Sequence, residues 1–167
     1  MSGDTQNAWI RGDLIIEAQT LEEAEAEAVR CYPNEACGFL IGPASETPSV
    51  NECVNEVNEA DKYHALDPEH FPRTAKTYFK INELRAARAF EAGAKAGRPI
   101  KVIYHSHCDA GAHFSGEDSA TFASAGTLMW PCSFLVISVV GGKVVDKKLW
   151  AHTPGTDDFH EARFTTR

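Results

Sequence analysis

Two histidines separated by one residue, His105-Ser106-His107, close the apolar run Val102-Ile103-Tyr104. If that run is a strand, alternate side chains share a face, so both imidazoles project from one side within reach of a single ion. Two imidazoles on a rigid strand suit zinc, which takes nitrogen and carboxylate oxygen ligands in tetrahedral geometry. Asp118, after a short loop and in the first turn of the next helical stretch, offers a third ligand. Three protein ligands leave a fourth position for water, acidified on zinc toward a pKa of about 7. Such chemistry calls for a general base nearby. The bland readings are real: a lone His-x-His also occurs as core or surface histidines. Ser115-x-x-Asp118 also reads as a helix capping box, which needs no metal. The two readings of Asp118 fit together only in part, because a carboxylate turned toward an ion leaves Ser115 to cap the helix or face substrate. The pattern leaves them open.

The elements that must position these residues follow from periodicity and punctuation. Trp9 to Glu17 is apolar and β-branched enough for a strand. Thr20 with Glu23 forms a capping-box signature ahead of a helix to about Cys31, whose apolar face is Leu21, Ala24, Ala28 and Cys31, with the glutamates facing water and Pro33 as the stop. Cys37 to Ile41, closed by Gly42-Pro43, reads as a buried strand with the alternating Val50 to Val57 region as its neighbour. Tyr63 to Leu66 reads as another strand, and Phe71 to Lys80 gives no pattern. A helix begins at Ile81 and is terminated by Gly97, Arg98 and Pro99. Ile100 to His107 is then the motif strand, and Ser115 opens a helix to about Ala125. Ser133 to Val140 is a strong β-run that Gly141-Gly142 turns into Lys143 to Trp150. Helices alternating with buried strands, plus a terminal hairpin, give an α/β fold: a mixed β-sheet flanked by helices.

The 167 residues fit one domain, with a core over about 9–152 and a polar, loosely held tail over 153–167. Hydrophobic residues at 43% and charged residues at 24% are the proportions of a folded globular chain. No long apolar stretch crosses a membrane, Met1 to Asn7 lacks the pattern of a signal peptide, and a cytoplasmic location is expected. A formal charge of −8 with scattered Lys and Arg argues against a nucleic-acid partner. The five cysteines, Cys31, Cys37, Cys53, Cys108 and Cys132, contain no Cys-x-x-Cys pair, so neither a disulfide framework nor a four-cysteine zinc site is indicated.

Glu35 by itself, following Pro33-Asn34, reads as an exposed loop carboxylate. The set Glu35, His105-Ser106-His107, Ser115 and Asp118 nevertheless resembles the JAMM motif of the MPN-domain metallopeptidases: an upstream glutamate, then His-x-His, seven residues, Ser, two residues, Asp. The segment Pro33 to Gly42 is similar to the family's glutamate strand, the order of elements agrees, and the resemblance covers about residues 9–152. It implies a three-layer, cytidine-deaminase-like architecture, with zinc held by His105, His107 and Asp118. It further implies that Glu35 shuttles a proton from the bound water to the leaving amine and that Ser115 steadies the oxyanion. Small bacterial members of this type act on ubiquitin-like or sulfur-carrier proteins of the β-grasp fold, after a flexible glycine tail. The implied activity is processing or isopeptide deconjugation of such a protein, by a monomer or a homodimer. The tail is expected to bind as an added strand along a sheet edge.

Cys108 departs from the family pattern, which more often has proline or threonine there; on a continuing strand it points away from the two histidines and is expected not to be a ligand. Residues 70–80 look longer than in the shortest relatives and read as a substrate-facing insertion or lid. His64, His70, His113, His152 and His160 lack ligand spacing and read as surface or loop residues. A zinc deaminase needs His-x-Glu and Pro-Cys-x-x-Cys, but Leu135 stands where Pro131-Cys132 would require the second cysteine. The alternative to an enzyme is a non-catalytic MPN-type scaffold or binding module, whose motif would be broken, whereas this one is intact.

Overall fold

The computed structural model describes residues 7–167; Met1 to Gln6, and with them most of the segment read for a signal peptide, lie outside the described residues. A 3-10 helix (Ala8–Arg11) leads into β1 (Leu14–Ile16), α1 (Ala18–Cys31), β2 (Cys37–Ile41), β3 (Ser49–Val50) and β4 (Glu52–Glu56). Next come α2 (Ala60–Leu66), α3 (Glu83–Lys95), β5 (Ile100–Cys108), α4 (Gly116–Phe122), and a small hairpin of β6 (Ala123–Ser124) and β7 (Thr127–Leu128). The chain ends with β8 (Ser133–Val140), β9 (Lys143–His152), β10 (Phe159–Ala162) and β11 (Phe164–Thr166). The main sheet is six-stranded and mixed, in the order β10-β9-β8-β5-β2-β4. Only the β5–β8 pair is parallel. A second sheet, β11-β1-β3, is parallel throughout.

The motif strand β5 lies inside the main sheet, so both faces are covered and its near-continuous apolar run is the signature of such a strand. Alternation sends Val102 and Tyr104 into a core beneath α1, with Leu21, Ala24 and Ala28. Ile103 enters the opposite core with Phe39, Phe79, Ala86, Phe122 and Phe134, between the sheet and α3 and α4. His105 and His107 continue the Ile103 face. Gly38 allows close approach, as the sequence suggests: a Cβ there would collide with the Val54 carbonyl oxygen and the Tyr104 ring.

Several elements differ from the sequence reading, each for a tertiary reason. The expected strand from Trp9 to Glu17 is broken by Gly12 and Asp13, both at positive φ, and its first half is the 3-10 helix. Trp9 is buried there and donates its indole N–H to the Pro131 carbonyl at 3.0 Å. Thr20 and Glu23 do not cap α1, which starts one turn earlier after Glu17. The N–H of Ala18 donates to the main-chain oxygen of Arg167 at 2.9 Å, so the distant tail satisfies this helix start. That tail is not loosely held, since β10 pairs with β9 and β11 with β1. Glu27 is buried rather than facing water, paired with Arg30.

Tyr63 to Leu66 is helical, not a strand. The Asn58 side chain accepts from the N–H of Ala60 and opens α2 at Ala60. A four-residue apolar run cannot distinguish the two states by periodicity. The helix after Ser115 stops at Phe122 instead of Ala125, where the chain enters the β6–β7 hairpin through Ala125 and Gly126 at positive φ. Among the described residues no helix is long and apolar enough to cross a membrane.

Lys101, in β5, is fully buried, and its ammonium reaches the carbonyls of Pro43, Glu46, Thr47 and Ser49 at 2.8–3.0 Å. It thereby ties the 43–49 loop to the motif strand. Removing the donor leaves those carbonyls unpaired, so Lys101→Met is expected to lower the unfolding free energy by about 3 kcal/mol, measured by urea denaturation.

Candidate metal centre

Glu35 reaches the site through register. Cys37 pairs with His105 and Phe39 with Ile103, so extending the β2–β5 ladder by two residues brings Glu35 level with His107 on the same face. Ser106, between the two histidines, points the other way: its hydroxyl accepts from the N–H of Ala36 at 2.7 Å, and its own N–H donates to the Ala36 carbonyl at 3.0 Å. The strand that carries the imidazoles is thus pinned directly to the residue after Glu35. Asn58 is a second clamp. Its amide N–H2 donates to the carbonyls of Glu35 and Tyr78, and its oxygen accepts from the N–H groups of Ala60 and Lys80.

Residues 71–80, for which the sequence gives no pattern, form the wall beside Glu35. The N–H of Glu35 donates to the Ala75 carbonyl at 2.7 Å. Phe79 lies over the His105 ring, centroids 4.3 Å apart and planes 20° apart. Arg73, Lys76 and Thr77 line a cavity of 150 Å³ together with Glu35, His107, Cys108, His113, Ser115 and Asp118.

Asp118 resolves the two readings of its motif in an unexpected way, because one oxygen serves both. Its Oδ2 accepts from the N–H of Ser115 at 3.0 Å while the Ser115 hydroxyl accepts from the N–H of Asp118 at 3.0 Å, a complete capping box. The same Oδ2 lies 3.2 Å from His105 Nε2 and 3.3 Å from His107 Nε2, and the two Nε2 atoms are 3.2 Å apart. The cap thus holds the carboxylate oxygen beside the two rings. Ser115 Oγ, accepting from Asp118, keeps its own proton free to donate elsewhere.

The triangle has the size a zinc ion needs. Ligand atoms about 2.0–2.1 Å from a tetrahedral centre lie roughly 3.3 Å from one another, and the three edges are 3.2, 3.2 and 3.3 Å. His107 donates from Nδ1 to the Gly111 carbonyl at 2.8 Å, which fixes the tautomer and leaves Nε2 with its lone pair. His105 is fully buried and its Nδ1 has no hydrogen-bond partner. Donor atoms of Glu35, His105 and His107 also lie within 4.8 Å of one another, but Glu35 makes no hydrogen bond to either ring among the described residues. It lies within donor reach of the two rings without bonding to them, whereas Asp118 bonds to both.

The charges are consistent with that division. Burial would raise the Asp118 carboxyl, but His105, His107 and the Ser115 N–H outweigh it and hold the group well below the usual carboxylate range. Burial lowers the His105 imidazole, against the pull of Asp118, so the neutral form is favoured. Glu35 is pushed up to about 9, first by burial and then by the Asp118 carboxylate, with Arg73 opposing.

Cys108 is half-buried, its thiol pushed up to about 12 chiefly by burial, and it is absent from the donor cluster, although it lines the cavity. His113 is exposed, as read, yet sits edge-on to His107 with centroids 4.9 Å apart. His64, His70 and His160 are tied to Phe71, Asp67 and Thr153 away from the cluster. His152 is buried rather than superficial and bonds to the Thr156 carbonyl. Sequence reasoning missed Asn58, Phe79, Arg73 and Lys76, which carry no local motif; Ser106 was visible as the central residue of His-x-His.

A mixed sheet whose inner strand presents two imidazoles to a helix-capping carboxylate, with a buried glutamate nearby, forms a candidate metal site on a JAB/MPN fold. The chain belongs to the family described as prokaryotic homologs of the JAB domain, which it matches over residues 17–153. Its fold is similar to the solution structure of a protein from Desulfitobacterium hafniense, with TM-score 0.63, 21% identity and 92% of each chain covered. A Salinibacter ruber protein gives TM-score 0.58 at 20% identity, again over 92% of each chain. A JAB1/MPN domain protein from Archaeoglobus fulgidus gives TM-score 0.55 at 12% identity, over 93% of this chain and 99% of that one. A search of curated proteins returns no significant match.

The raised Glu35 carboxyl makes the metal-free chain sensitive to pH. Above about pH 7 the unfolded chain has released this proton while the folded chain retains it, so stability falls as pH rises toward 9, by up to about 1.4 kcal/mol per unit. Urea unfolding of chelator-treated protein between pH 7 and 9 is expected to show this slope, and Glu35→Gln is expected to flatten it.

Proposed function

We propose that this chain is a zinc metallopeptidase that hydrolyses a peptide or isopeptide bond after the C-terminal glycine tail of a β-grasp ubiquitin-like or sulfur-carrier protein. The observation that carries the reading is the triangle of His105 Nε2, His107 Nε2 and Asp118 Oδ2, sized for a tetrahedral ion, with the Glu35 carboxyl within 4.8 Å of both rings. His105, His107 and Asp118 are the residues to hold zinc, which when bound supplies a Lewis acid and lowers the pKa of water.

The remaining chemistry belongs to the chain. Glu35, whose carboxylate form the charge of a bound ion would favour, accepts a proton from the attacking water and hands it to the departing amine. Ser115, its oxygen engaged by the N–H of Asp118, directs its hydroxyl proton to the developing oxyanion. Phe79 and the buried surroundings of His105 exclude water from one side of the donors.

A glycine tail has room to approach, though not along the motif strand, which is paired on both sides by β2 and β8. The β6–β7 hairpin follows α4 directly and offers a short free edge. Met129 and Trp130, just beyond it, line a largely apolar cleft of 580 Å³ with Phe79 and Phe122. Glycines at an edge allow main-chain hydrogen bonds without side-chain obstruction.

Metal analysis and cleavage of β-grasp proteins carrying a residue beyond their Gly-Gly end test the reading together. His107→Ala is expected to lose zinc. Glu35→Ala is expected to keep zinc and lose turnover by about 10³-fold; activity that survives zinc removal sinks the mechanism. Ser115→Ala is expected to keep zinc, because the N–H that orients Asp118 is main chain. It should lose about 1 kcal/mol of stability with the cap and about 10²-fold in kcat, read by thermal unfolding and initial rates.

A further inference from the structure

Two cations line the cavity in a chain whose formal charge is −8. Arg73 and Lys76 come from the 67–80 segment, which the Glu35 N–H to Ala75 carbonyl bond ties to the general base. Both side chains are exposed and line the same 150 Å³ cavity as Glu35, Ser115 and Asp118. The Arg73 charge is felt at Glu35.

Neither cation is committed elsewhere by a strong contact. Arg73 lies 3.6 Å from Glu117, with both side chains about half exposed, a long pair of the kind that contributes little. Lys76 makes no ion pair among the described residues. Their side of the cavity has a chemical meaning once Glu35 is the proton shuttle. Hydrolysis breaks the glycyl C–N bond, leaves a carboxylate on the glycine tail, and gives the departing amine the proton that Glu35 took from water. The leaving group must therefore come within reach of Glu35, in the cavity that Arg73 and Lys76 also line.

We infer that Arg73 and Lys76 recognise the α-carboxylate of the leaving residue, so that the site removes a short C-terminal extension in preference to releasing a lysine side chain. A one-residue extension carries a free carboxylate a few bonds from the departing nitrogen, and guanidinium and ammonium groups bind it by charge-assisted hydrogen bonds. In an isopeptide the lysine carboxyl is taken up in the target's own backbone and offers no such charge. This specificity rests on the peptidase reading above and names its substrate class more narrowly.

The test uses the zinc-loaded full chain and three synthetic probes. These are a hexapeptide ending Gly-Gly-Ala with a free carboxylate, its C-terminal amide, and a branched peptide in which the same Gly-Gly carboxyl is joined to lysine Nε. The free acid is expected to be cleaved with KM about 10- to 100-fold below the amide and the branched peptide. In Arg73→Gln/Lys76→Gln the ratio of the amide and free-acid KM values is expected to fall to about 1 while zinc content persists. Binding of the free acid and the amide to zinc-loaded Glu35→Gln, followed by calorimetry, should show the same preference without turnover. Equal KM for acid and amide in the wild type, or a preference that survives in the double variant, overturns the carboxylate assignment and leaves the peptidase reading standing. Cleavage of none of the three by zinc-loaded enzyme overturns both.

Discussion

One carboxylate oxygen, Oδ2 of Asp118, lies between two imidazole nitrogens and a main-chain N–H, and the geometry of the centre depends on that sharing. A side chain with two torsions and an exposed position would sample many orientations. Here the Ser115 N–H and the reciprocal bond to the Ser115 hydroxyl hold Asp118 against the first turn of α4. The interaction that starts the helix also aims the donor, so the triangle with His105 and His107 is formed by the fold itself. Fixed donors of this kind need little reorganisation to accept an ion.

The opposing half of the centre is set by the sheet. Pairing of Cys37 with His105 decides which residues of the β2 approach face the imidazoles, and a slip of one residue would turn Glu35 to the other side. Ser106 resists that slip, because its side chain and main chain both bond to Ala36. Asn58 then joins Glu35 to Ala60, Tyr78 and Lys80 through four main-chain groups. A stretch without regular secondary structure is thereby held firmly enough to carry Phe79 onto His105 and to line the cavity.

Legibility followed the range of the interactions involved. β2 and β8 were readable to the residue and β5 to within one, since buried strands require unbroken apolar runs whatever surrounds them. The start of α1 was misread because its first N–H is satisfied by Arg167, far along the chain, and not by Thr20. Tyr63 to Leu66 was misread because so short a run carries no period, and the helix it belongs to starts upstream at Ala60. The tail was misread because polar strands at a sheet edge owe their order to main-chain bonds with β9 and β1, which composition does not reveal.

By itself the sequence determined the inventory of the centre: two imidazoles on one face of a strand, a serine and an aspartate at helix-capping spacing, and a glutamate before a buried strand. It determined these because alternation along a strand and the reach of a capping side chain are local rules. Only the tertiary structure decided that one Asp118 oxygen caps the helix and completes the triangle, that Glu35 comes within 4.8 Å of both rings, and that Arg73, Lys76 and Phe79 wall the site. Those placements depend on the register of β2 against β5 and on Asn58 holding residues 67–80, contacts between distant segments whose energies have no signature in any short stretch of chain.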